Sequence, residues 1–451
     1  MLRALAPALL AALLPACTGD AAPPPVPDAP SSDAAPDTLA DPGSPGRAGG
    51  VLSADGGAVA LDSSTVARLV AEDPLWADAL RLHYSAIVVD GHVDTPSAMV
   101  DGYRIGRRHR PRAGGRHVDL PRMVEGGLDA PFFALYVSRT YGEGAAATAR
   151  AFAMLDAVER QVGELAAGSP GQAGAAIARS AADVRRLRAE GRRAILLGLE
   201  GGHALAGDPE VLRRLAARGV RYVTLTHTNA NRLADSSQDR PRHGGLSELG
   251  RAMLAEMNRL GVLPDVSHAS DATVAAVVAA SRGPVIASHS SCRALVDNVR
   301  NLTDGQMRAI AATGGVVMVN AHPPVVNGAL TPDVMAAAYA RVEQQHGGDL
   351  ARLWTAVEAE QRARGLPGPS LDDYLDHVEH ALAVVGPDHV GLGTDMDGVP
   401  GLPAGLEDVT RLPWITHGLL ARGVPEATVR RVLGANALRA LAEAERLAAD
   451  G

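Results

Sequence analysis

The chain has 451 residues, of which 46% are hydrophobic and 3% aromatic, and its formal net charge is −8. This length is ample for one large domain with a buried core, and the interspersed charges form no basic stripe, which argues against nucleic-acid binding. There are two cysteines, Cys17 and Cys292. Because Cys17 lies in the leader described next, the folded part holds one thiol and no internal disulfide is expected.

The N-terminus is predicted to be an export signal. Arg3 precedes an apolar run from Leu5 to Ala16, which is shorter than the about 20 residues that a membrane span needs. The run ends in Leu14-Pro15-Ala16-Cys17, which resembles a bacterial lipoprotein signal, in which the cysteine is acylated. An ordinary cleaved signal peptide is the alternative. We expect residues 1–17 to be a lipoprotein-type signal peptide. The protein would then be exported from a bacterial cell and anchored through Cys17, facing the periplasm or the exterior.

Residues 18–61 are predicted to be a disordered tether. They are rich in Pro, Ala, Asp, Ser and Gly, as in Ala21-Ala22-Pro23-Pro24-Pro25. Such a segment buries too little apolar surface to offset the entropy lost on folding. The globular catalytic part is therefore expected to span residues 62–451.

Eight short apolar runs in the globular part are typical of buried strands, each bounded by turn residues. They are Ile87–Asp94, Ala130–Val137, Ala194–Glu200, Tyr222–His227, Val262–His268, Pro284–His289, Gly315–Asn320 and Val390–Asp395. Most gaps between them have helical patterns, so strands and helices alternate along the chain. The predicted fold is α/β, a (β/α)8 TIM barrel, and an open doubly wound sheet is the alternative.

Three intervening segments have clear helical features. The stretch from Leu246 to Leu260 carries apolar residues at spacings of three and four, which predicts one buried helix face. Thr303 and Gln306 form a capping-box pattern at the start of a later helix. The segment Ala321–Val385 is longer than a simple crossover requires, so we expect an extra helical insertion beside the barrel mouth after strand seven.

Six of the eight predicted strands end in a potential metal ligand or acid–base group. They are His92 and Asp94 on strand one, Glu200 on strand three, His227 on strand four, His268 on strand five, His289 on strand six and Asp395 on strand eight. Barrel active sites lie at the carboxyl ends of the strands, so this fold would bring these side chains together. Imidazole and carboxylate groups ligate zinc, and a pair of zinc ions is well served by a bridging carboxylate. Glu200 suits that bridge, since it is the only glutamate at a predicted strand end.

Any one of these residues has a simpler interpretation. A single histidine at a strand end is more often a hydrogen-bonded structural residue than a ligand, and Asp90-Gly91-His92 alone could be a turn. The repetition of this chemistry around one ring favours a metal centre. Cys292, just past a strand, is instead predicted to be a small buried hydrophobic residue.

Seven segments carry a resemblance to the membrane dipeptidase family, also called renal dipeptidase, within the amidohydrolase-like zinc barrels. They are DGHVD (90–94), LEGGHAL (199–205), RYVTLTH (221–227), RLGVLPDVSH (259–268), GPVIASHSS (283–291), NVRN (298–301) and GLGTDMDGVPGLP (391–403). Their order and spacing resemble the family over roughly residues 80–445. Val93 stands where the family often has asparagine.

The resemblance implies a ligand set for two zinc ions per chain. By position, His92 and Asp94 correspond to the ligands of one zinc, and His268 and His289 to those of the other. Glu200 corresponds to the bridge between them.

The resemblance also implies three roles in catalysis. His227 corresponds to the residue that contacts the scissile carbonyl oxygen, and Arg300 to the residue that holds the substrate carboxylate. Asp395 corresponds to the acid that moves the proton. The implied activity is hydrolysis of the peptide bond of dipeptides, with tolerance of D-residues at the C-terminal position.

Other functions fit parts of the same pattern. An amidohydrolase that deacylates N-acyl amino acids could use the same ligands. A lipid-tethered binding protein with a degenerate site would lack ligands, but all five candidate ligands are present. A sugar- or phosphate-binding barrel is a third alternative, but the sequence contains no P-loop motif. The expected partners are dipeptide substrates, a membrane contacted only through a lipid at Cys17, no nucleic acid, and a second copy in a homodimer.

Overall fold

A computed structural model describes residues 61–109, 116–166, 168, 174–346, 353–399 and 401–450. All of them belong to one structural unit within residues 50–451. The predicted signal peptide, residues 1–17, and the tether up to residue 60 lie outside the described residues. Leu61 is buried in a small cluster with Leu69 and Trp76 of the first two helices. Within the described ranges, no helix combines the length and apolarity that a bilayer span requires.

The described residues form nine strands and seventeen α-helices. The strands are β1 Val89–Val93, β2 Ala130–Tyr136, β3 Ala175–Ile177, β4 Arg193–Glu200, β5 Val220–Thr224, β6 Leu263–Asp265, β7 Ile286–Ala287, β8 Val316–Val319 and β9 Val390–Leu392. The helices are α1 Ser63–Glu72, α2 Leu75–Ser85, α3 Thr95–Val100, α4 Leu120–Glu125, α5 Ala145–Glu164, α6 Ala181–Ala189, α7 Pro209–Ala217, α8 Glu248–Leu260, α9 Asp271–Ala280, α10 Asp304–Ala312, α11 Pro323–Val326, α12 Pro332–His346, α13 Leu353–Arg364, α14 Leu371–Val385, α15 Leu412–Ala421, α16 Glu426–Arg430 and α17 Asn436–Ala449.

Eight parallel strands close into a barrel. Their order around the ring is β1, β2, β4, β5, β6, β7, β8 and β9, and β9 pairs with β1. Each predicted strand overlaps one of these eight, so the (β/α)8 barrel is confirmed and the open sheet is wrong. The sequence reading missed β3, which pairs only with the first three residues of β4 and lies outside the closed ring.

The strands are buried on both faces, as expected for a barrel covered by helices. Along β4, Ala194 and Leu196 join one apolar cluster, whereas Ile195 and Leu197 join another. Successive side chains of a strand point to opposite faces, so these two clusters are the core inside the barrel and the core beneath the helices. Tyr222 of β5 belongs to the same cluster as Ala194 and Leu196.

The two predicted helices and the insertion are also present. Helix α8 begins after the N-cap Ser247 and ends at Gly261, whose φ of 66° suits a residue without a β-carbon. Helix α10 begins with the predicted capping box of Thr303 and Gln306. Four helices, α11 to α14, lie between β8 and β9. Helices α12 and α13 pack on each other around a separate apolar cluster that includes Val334 and Val357.

Candidate metal centre

Five predicted ligands meet at the carboxyl ends of the barrel strands around the carboxylate of Glu200. Glu200 Oε2 lies 3.4 Å from His92 Nε2. Glu200 Oε1 lies 3.2 Å from His268 Nε2 and 3.6 Å from His289 Nε2. Asp94 Oδ2 lies 3.4 Å from His92 Nε2. One oxygen of the Glu200 carboxylate therefore faces His92, and the other faces His268 and His289.

The donor set suits divalent cations. His92 Nε2, His289 Nε2 and Asp94 Oδ1 are buried and have no hydrogen-bond partner among the described residues. A buried polar atom without a partner is costly, so such atoms call for a ligand such as a metal ion. Ligand atoms of His92, Glu200 and His289 lie within 4.8 Å of one another, as do those of Glu200, His227 and His268.

The protonation of His268 and His289 supports the same conclusion. Burial lowers the pKa of His268 and of His289 well below the usual value for histidine. Both rings are therefore neutral near pH 7, and each has one nitrogen with a free lone pair. A metal ligand requires this form of imidazole.

A chain of hydrogen bonds sets the orientation of the His289 ring. Ser288 Oγ donates to Asp265 Oδ2 at 2.6 Å and lies 2.8 Å from His289 Nδ1. Because the single hydroxyl proton goes to Asp265, Ser288 Oγ accepts from His289 Nδ1–H. The proton of His289 therefore sits on Nδ1, and Nε2 faces Glu200 with its lone pair. Outer partners of this kind commonly fix a metal-ligating histidine.

Tyr222 plays the corresponding part for His92. Its hydroxyl lies 2.9 Å from His92 Nδ1 inside the barrel. The ring occupies space that a side chain at Gly198 would fill, since a β-carbon there would lie 2.1 Å from Tyr222 Cζ. Gly198 thus allows Tyr222 to reach His92 from beneath the site.

Two buried aspartates hold the strand ends in place. Asp265 accepts hydrogen bonds from the Ser288 backbone N–H at 2.8 Å and from Thr224 Oγ at 2.5 Å. Asp90 accepts from the Thr394 backbone N–H at 2.9 Å and from its hydroxyl at 2.5 Å. Asp90 is thus part of β1 and hydrogen-bonds to the chain after β9. The alternative interpretation of Asp90-Gly91-His92 as a turn is therefore wrong.

Backbone conformation marks the same site. His268 and Asp395 both have a φ of 64°, and they are two of only four non-glycine residues with positive φ in the described part of the chain. Residues in this region of φ are strained, and such strain concentrates at active sites. Close by, a β-carbon on Gly398 would lie 2.1 Å from Asp94 Oδ2 and 2.4 Å from Asp395 Oδ1. Only glycine fits between these two carboxylates.

Asp395 lies beside the cluster formed by the five predicted ligands. Ligand atoms of Asp395, His92 and Asp94 lie within 4.8 Å of one another. Burial raises the pKa of Asp395 to about 7, with the negative charges of Asp94 and Glu200 acting in the same direction. Asn320 Nδ2 donates to Asp395 Oδ2 at 3.2 Å. A carboxyl group with a pKa near neutrality can both accept and release a proton.

His227 and Arg300 both lie at the border of the cluster. His227 Nε2 lies 4.0 Å from Glu200 Oε1, and burial, with the nearby charge of Arg300, lowers the pKa of His227 to about 3. Its ring is therefore neutral. Arg300 donates from Nη2 to the His289 carbonyl at 3.3 Å, and its Nη1 is buried without a partner among the described residues. Burial lowers the pKa of Arg300 to about 10, so it stays charged at neutral pH.

All eight predicted site residues thus lie at one end of the barrel, but sequence reasoning assigned no role to several residues that support them. Tyr222, Ser288, Asp265 and Asn320 orient the predicted residues, and the His322 ring is buried near Arg300. The sequence signal that could have identified these supporting residues is a polar residue inside or directly after an otherwise apolar strand. Cys292 is buried as predicted, and burial raises the pKa of its thiol to about 12.

A closed parallel barrel whose carboxyl edge holds buried imidazole nitrogens and a carboxylate oxygen without hydrogen-bond partners among the described residues is typical of a metal-dependent barrel hydrolase. Comparison with known proteins gives the family. The model of the membrane dipeptidase family, peptidase family M19, matches residues 76–451. Dipeptidase aclJ of Aspergillus oryzae is 36% identical over 339 residues, which are 73% of this chain and 71% of that protein.

Two solved structures agree. The probable dipeptidase PvdM of Pseudomonas aeruginosa has a TM-score of 0.69 and 28% identity, with 83% of this chain and 99% of that chain covered. A metallopeptidase of Rhodobacter sphaeroides, bound to a phosphinate mimic of the dipeptide L-Ala-D-Ala, has a TM-score of 0.63 and 26% identity over 79% and 99%. The chain therefore belongs to the membrane dipeptidase family, peptidase family M19, and is a metallo-dipeptidase.

Proposed function

We propose that the protein is a binuclear zinc dipeptidase, with His92 and Asp94 on one ion, His268 and His289 on the other, and Glu200 shared. The observation that carries this proposal is the position of Glu200. One of its oxygens faces His92, and the other faces His268 and His289. A carboxylate placed in this way suits a pair of ions better than a single ion.

Two zinc ions would supply Lewis acidity, polarising the scissile carbonyl and acidifying the attacking water. The remaining steps belong to side chains of this chain. Asp395, with a pKa raised to about 7, accepts the proton of the attacking water and returns it to the leaving amine. Neutral His227 can donate an N–H to the carbonyl oxygen as negative charge grows there.

Arg300 determines the substrate class in this proposal. Its guanidinium is buried, charged and partly unpartnered, and it lies against the backbone of His289. A guanidinium offers paired N–H donors that match a carboxylate. A C-terminal carboxylate held so near the cluster leaves room for one residue beyond the scissile bond, which favours dipeptides.

Tolerance of a D-residue at the C-terminal position is the finer part of the proposal. The Rhodobacter sphaeroides relative was solved with a mimic of L-Ala-D-Ala, and its fold resembles that of this chain. Deacylation of N-acyl amino acids remains the alternative, since such substrates also present a carboxylate to Arg300 and an amide to the same cluster.

A substrate panel tests the proposal. Purified protein supplied with zinc should hydrolyse L-Ala-L-Ala and L-Ala-D-Ala, and should act weakly on Ala-Ala-Ala and on N-acetyl-D-alanine. The variant Glu200→Ala, measured alongside, should be inactive on all four, which ties the activity to the shared carboxylate. Faster turnover of N-acetyl-D-alanine than of either dipeptide would replace the dipeptidase proposal with the deacylase alternative.

A further inference from the structure

A cleft formed by loops at the carboxyl edge of the barrel, the edge that carries the candidate metal centre, has no assigned role. Its volume is about 550 Å³. Its charged and amide-bearing lining residues are Arg139, Glu143, Asn229, Asp239, Arg240 and Arg242. They come from the loops that follow β2 and β5.

The strand register places this cleft beside His227. Tyr136, the last residue of β2, pairs with Glu200, and its ring packs edge-on against the His227 ring with centroids 4.7 Å apart. Arg139 follows Tyr136 by three residues, and Asn229 follows His227 by two. The two chain segments that line the cleft therefore start within three residues of these two rings.

The barrel topology places the cleft opposite Arg300. Arg300 is bonded to the backbone at the end of β7, and β7 stands diametrically across the ring from β2. If Arg300 holds the carboxylate of a dipeptide, the scissile bond of that dipeptide must lie at the metal centre. Its amino-terminal residue then points toward β2, β4 and the cleft.

The charges of the cleft do not cancel. Arg242 donates to Glu143 at 2.7 Å, and the other oxygen of Glu143 accepts from the Arg232 backbone N–H. Asp239 accepts from the backbone N–H groups of Ala230 and Arg240. Both carboxylates are therefore engaged.

The three arginines outnumber the two carboxylates, so the lining of the cleft has a net charge of +1, and two of its guanidiniums have no partner in the described ranges. The side chains of Arg139 and Arg240 form no hydrogen bond or ion pair with any described residue, and both residues are exposed. A cleft with a net positive charge and two unpartnered guanidiniums attracts an anionic group.

We infer that this cleft selects dipeptides whose amino-terminal residue has an acidic side chain, aspartate or glutamate, through Arg139 and Arg240. The inference rests on the proposed dipeptidase function, because that function fixes which residue of the substrate points toward the cleft. Both arginines are solvent-exposed, so each contact is of the modest strength of a surface ion pair.

The test compares isosteric substrates that differ only in charge. We expect kcat/KM for L-Glu-L-Ala to exceed that for L-Gln-L-Ala by roughly 3- to 30-fold, the product of two surface-strength contacts. The ratio should fall toward one in the double variant Arg139→Gln/Arg240→Gln. Raising the salt concentration should lower the ratio in the wild type, because exposed charge pairs are screened.

Arg160→Gln is the matched control. Arg160 is exposed and lies four helical turns along α5 from the end that borders the cleft. This variant removes the same charge and should keep the wild-type ratio. Thermal unfolding of each variant should match the wild type, since no described partner is lost.

The outcomes separate the inference from the function on which it rests. A ratio near one in the wild type, or an unchanged ratio in the double variant, overturns the anionic preference while dipeptide hydrolysis stands. Failure to cleave any dipeptide, including L-Ala-L-Ala, overturns the proposed function and the inference together.

Discussion

The hydrogen bond between Ser288 and His289 provides a sharp test of how the barrel prepares its candidate ligands. Ser288→Ala removes the acceptor of His289 Nδ1–H at 2.8 Å and the donor to Asp265 at 2.6 Å. His289 is buried, so no water replaces the lost partner. The ring could then rotate, or exchange its proton to Nε2, and either change removes the lone pair that faces Glu200.

The size of the effect follows from two contributions. Loss of an outer partner of a metal ligand typically weakens metal affinity by about 10- to 100-fold. At a fixed zinc concentration well above the dissociation constants, that change reduces the stabilisation by zinc by about 1.4–2.8 kcal/mol. A buried N–H left without a partner costs a further ~1–3 kcal/mol in the metal-free protein.

Thermal unfolding with and without zinc separates the two contributions. The Tm of metal-free Ser288→Ala should fall by a few degrees, and the further increase in Tm on adding zinc should shrink. Competition with a chelator should show the weaker zinc affinity directly.

Thr416→Val is the matched control. Thr416 Oγ lies 2.8 Å from Nδ1 of His83, and both residues are fully buried away from the metal centre. This variant should lower the Tm of the metal-free protein but leave the zinc-induced increase unchanged. If Ser288→Ala and Thr416→Val lose the same amount of zinc-induced stabilisation, Ser288 does not orient a ligand.

Three further predictions concern proton transfer, substrate binding and anchoring. Asp395→Asn keeps the size of the side chain but removes the proton acceptor, so kcat should fall by roughly 10²- to 10⁴-fold with metal content and Tm little changed; near-normal kcat with metal bound would exclude Asp395 as the base. Arg300→Ala should lower kcat/KM for a dipeptide with a free carboxylate by roughly 10- to 150-fold, while a C-terminally amidated dipeptide should lose little; equal losses would show that Arg300 does not bind the carboxylate. Cys17→Ser should release the protein from the membrane fraction of a bacterial host, and a wild-type mature protein that is soluble and unacylated would refute the lipoprotein prediction.

The barrel was predictable because its signals are local and repeated. Each of the eight barrel strands is a short apolar run with turn residues on both sides, and the polar groups follow at the strand ends. Strand β3 was not predicted, because its three residues have no such pattern and pair only with the start of β4. The pairing of α12 with α13 was foreseen only as extra length between two strands.

The candidate site was predictable to the level of ligands but not of their supports. His289 stands out in the sequence, yet nothing local indicates that Ser288 accepts its Nδ1–H and donates in turn to Asp265, which lies on the neighbouring strand. The same holds for Tyr222, whose hydroxyl reaches His92 across the barrel interior. These contacts depend on strand register and on the space left by Gly198, which only the folded barrel determines.

The metal stoichiometry of the purified protein tests the central claim most directly. The shared position of Glu200 predicts two divalent cations per chain after zinc supplementation, measured by elemental analysis against protein concentration. Glu200→Gln should remain folded, because the strand pairing of Glu200 uses its backbone and its side chain forms no hydrogen bond with any described residue, yet it should retain at most one tightly bound ion. One ion or none in the wild type, or two tightly bound ions in Glu200→Gln, would contradict a binuclear centre bridged by Glu200.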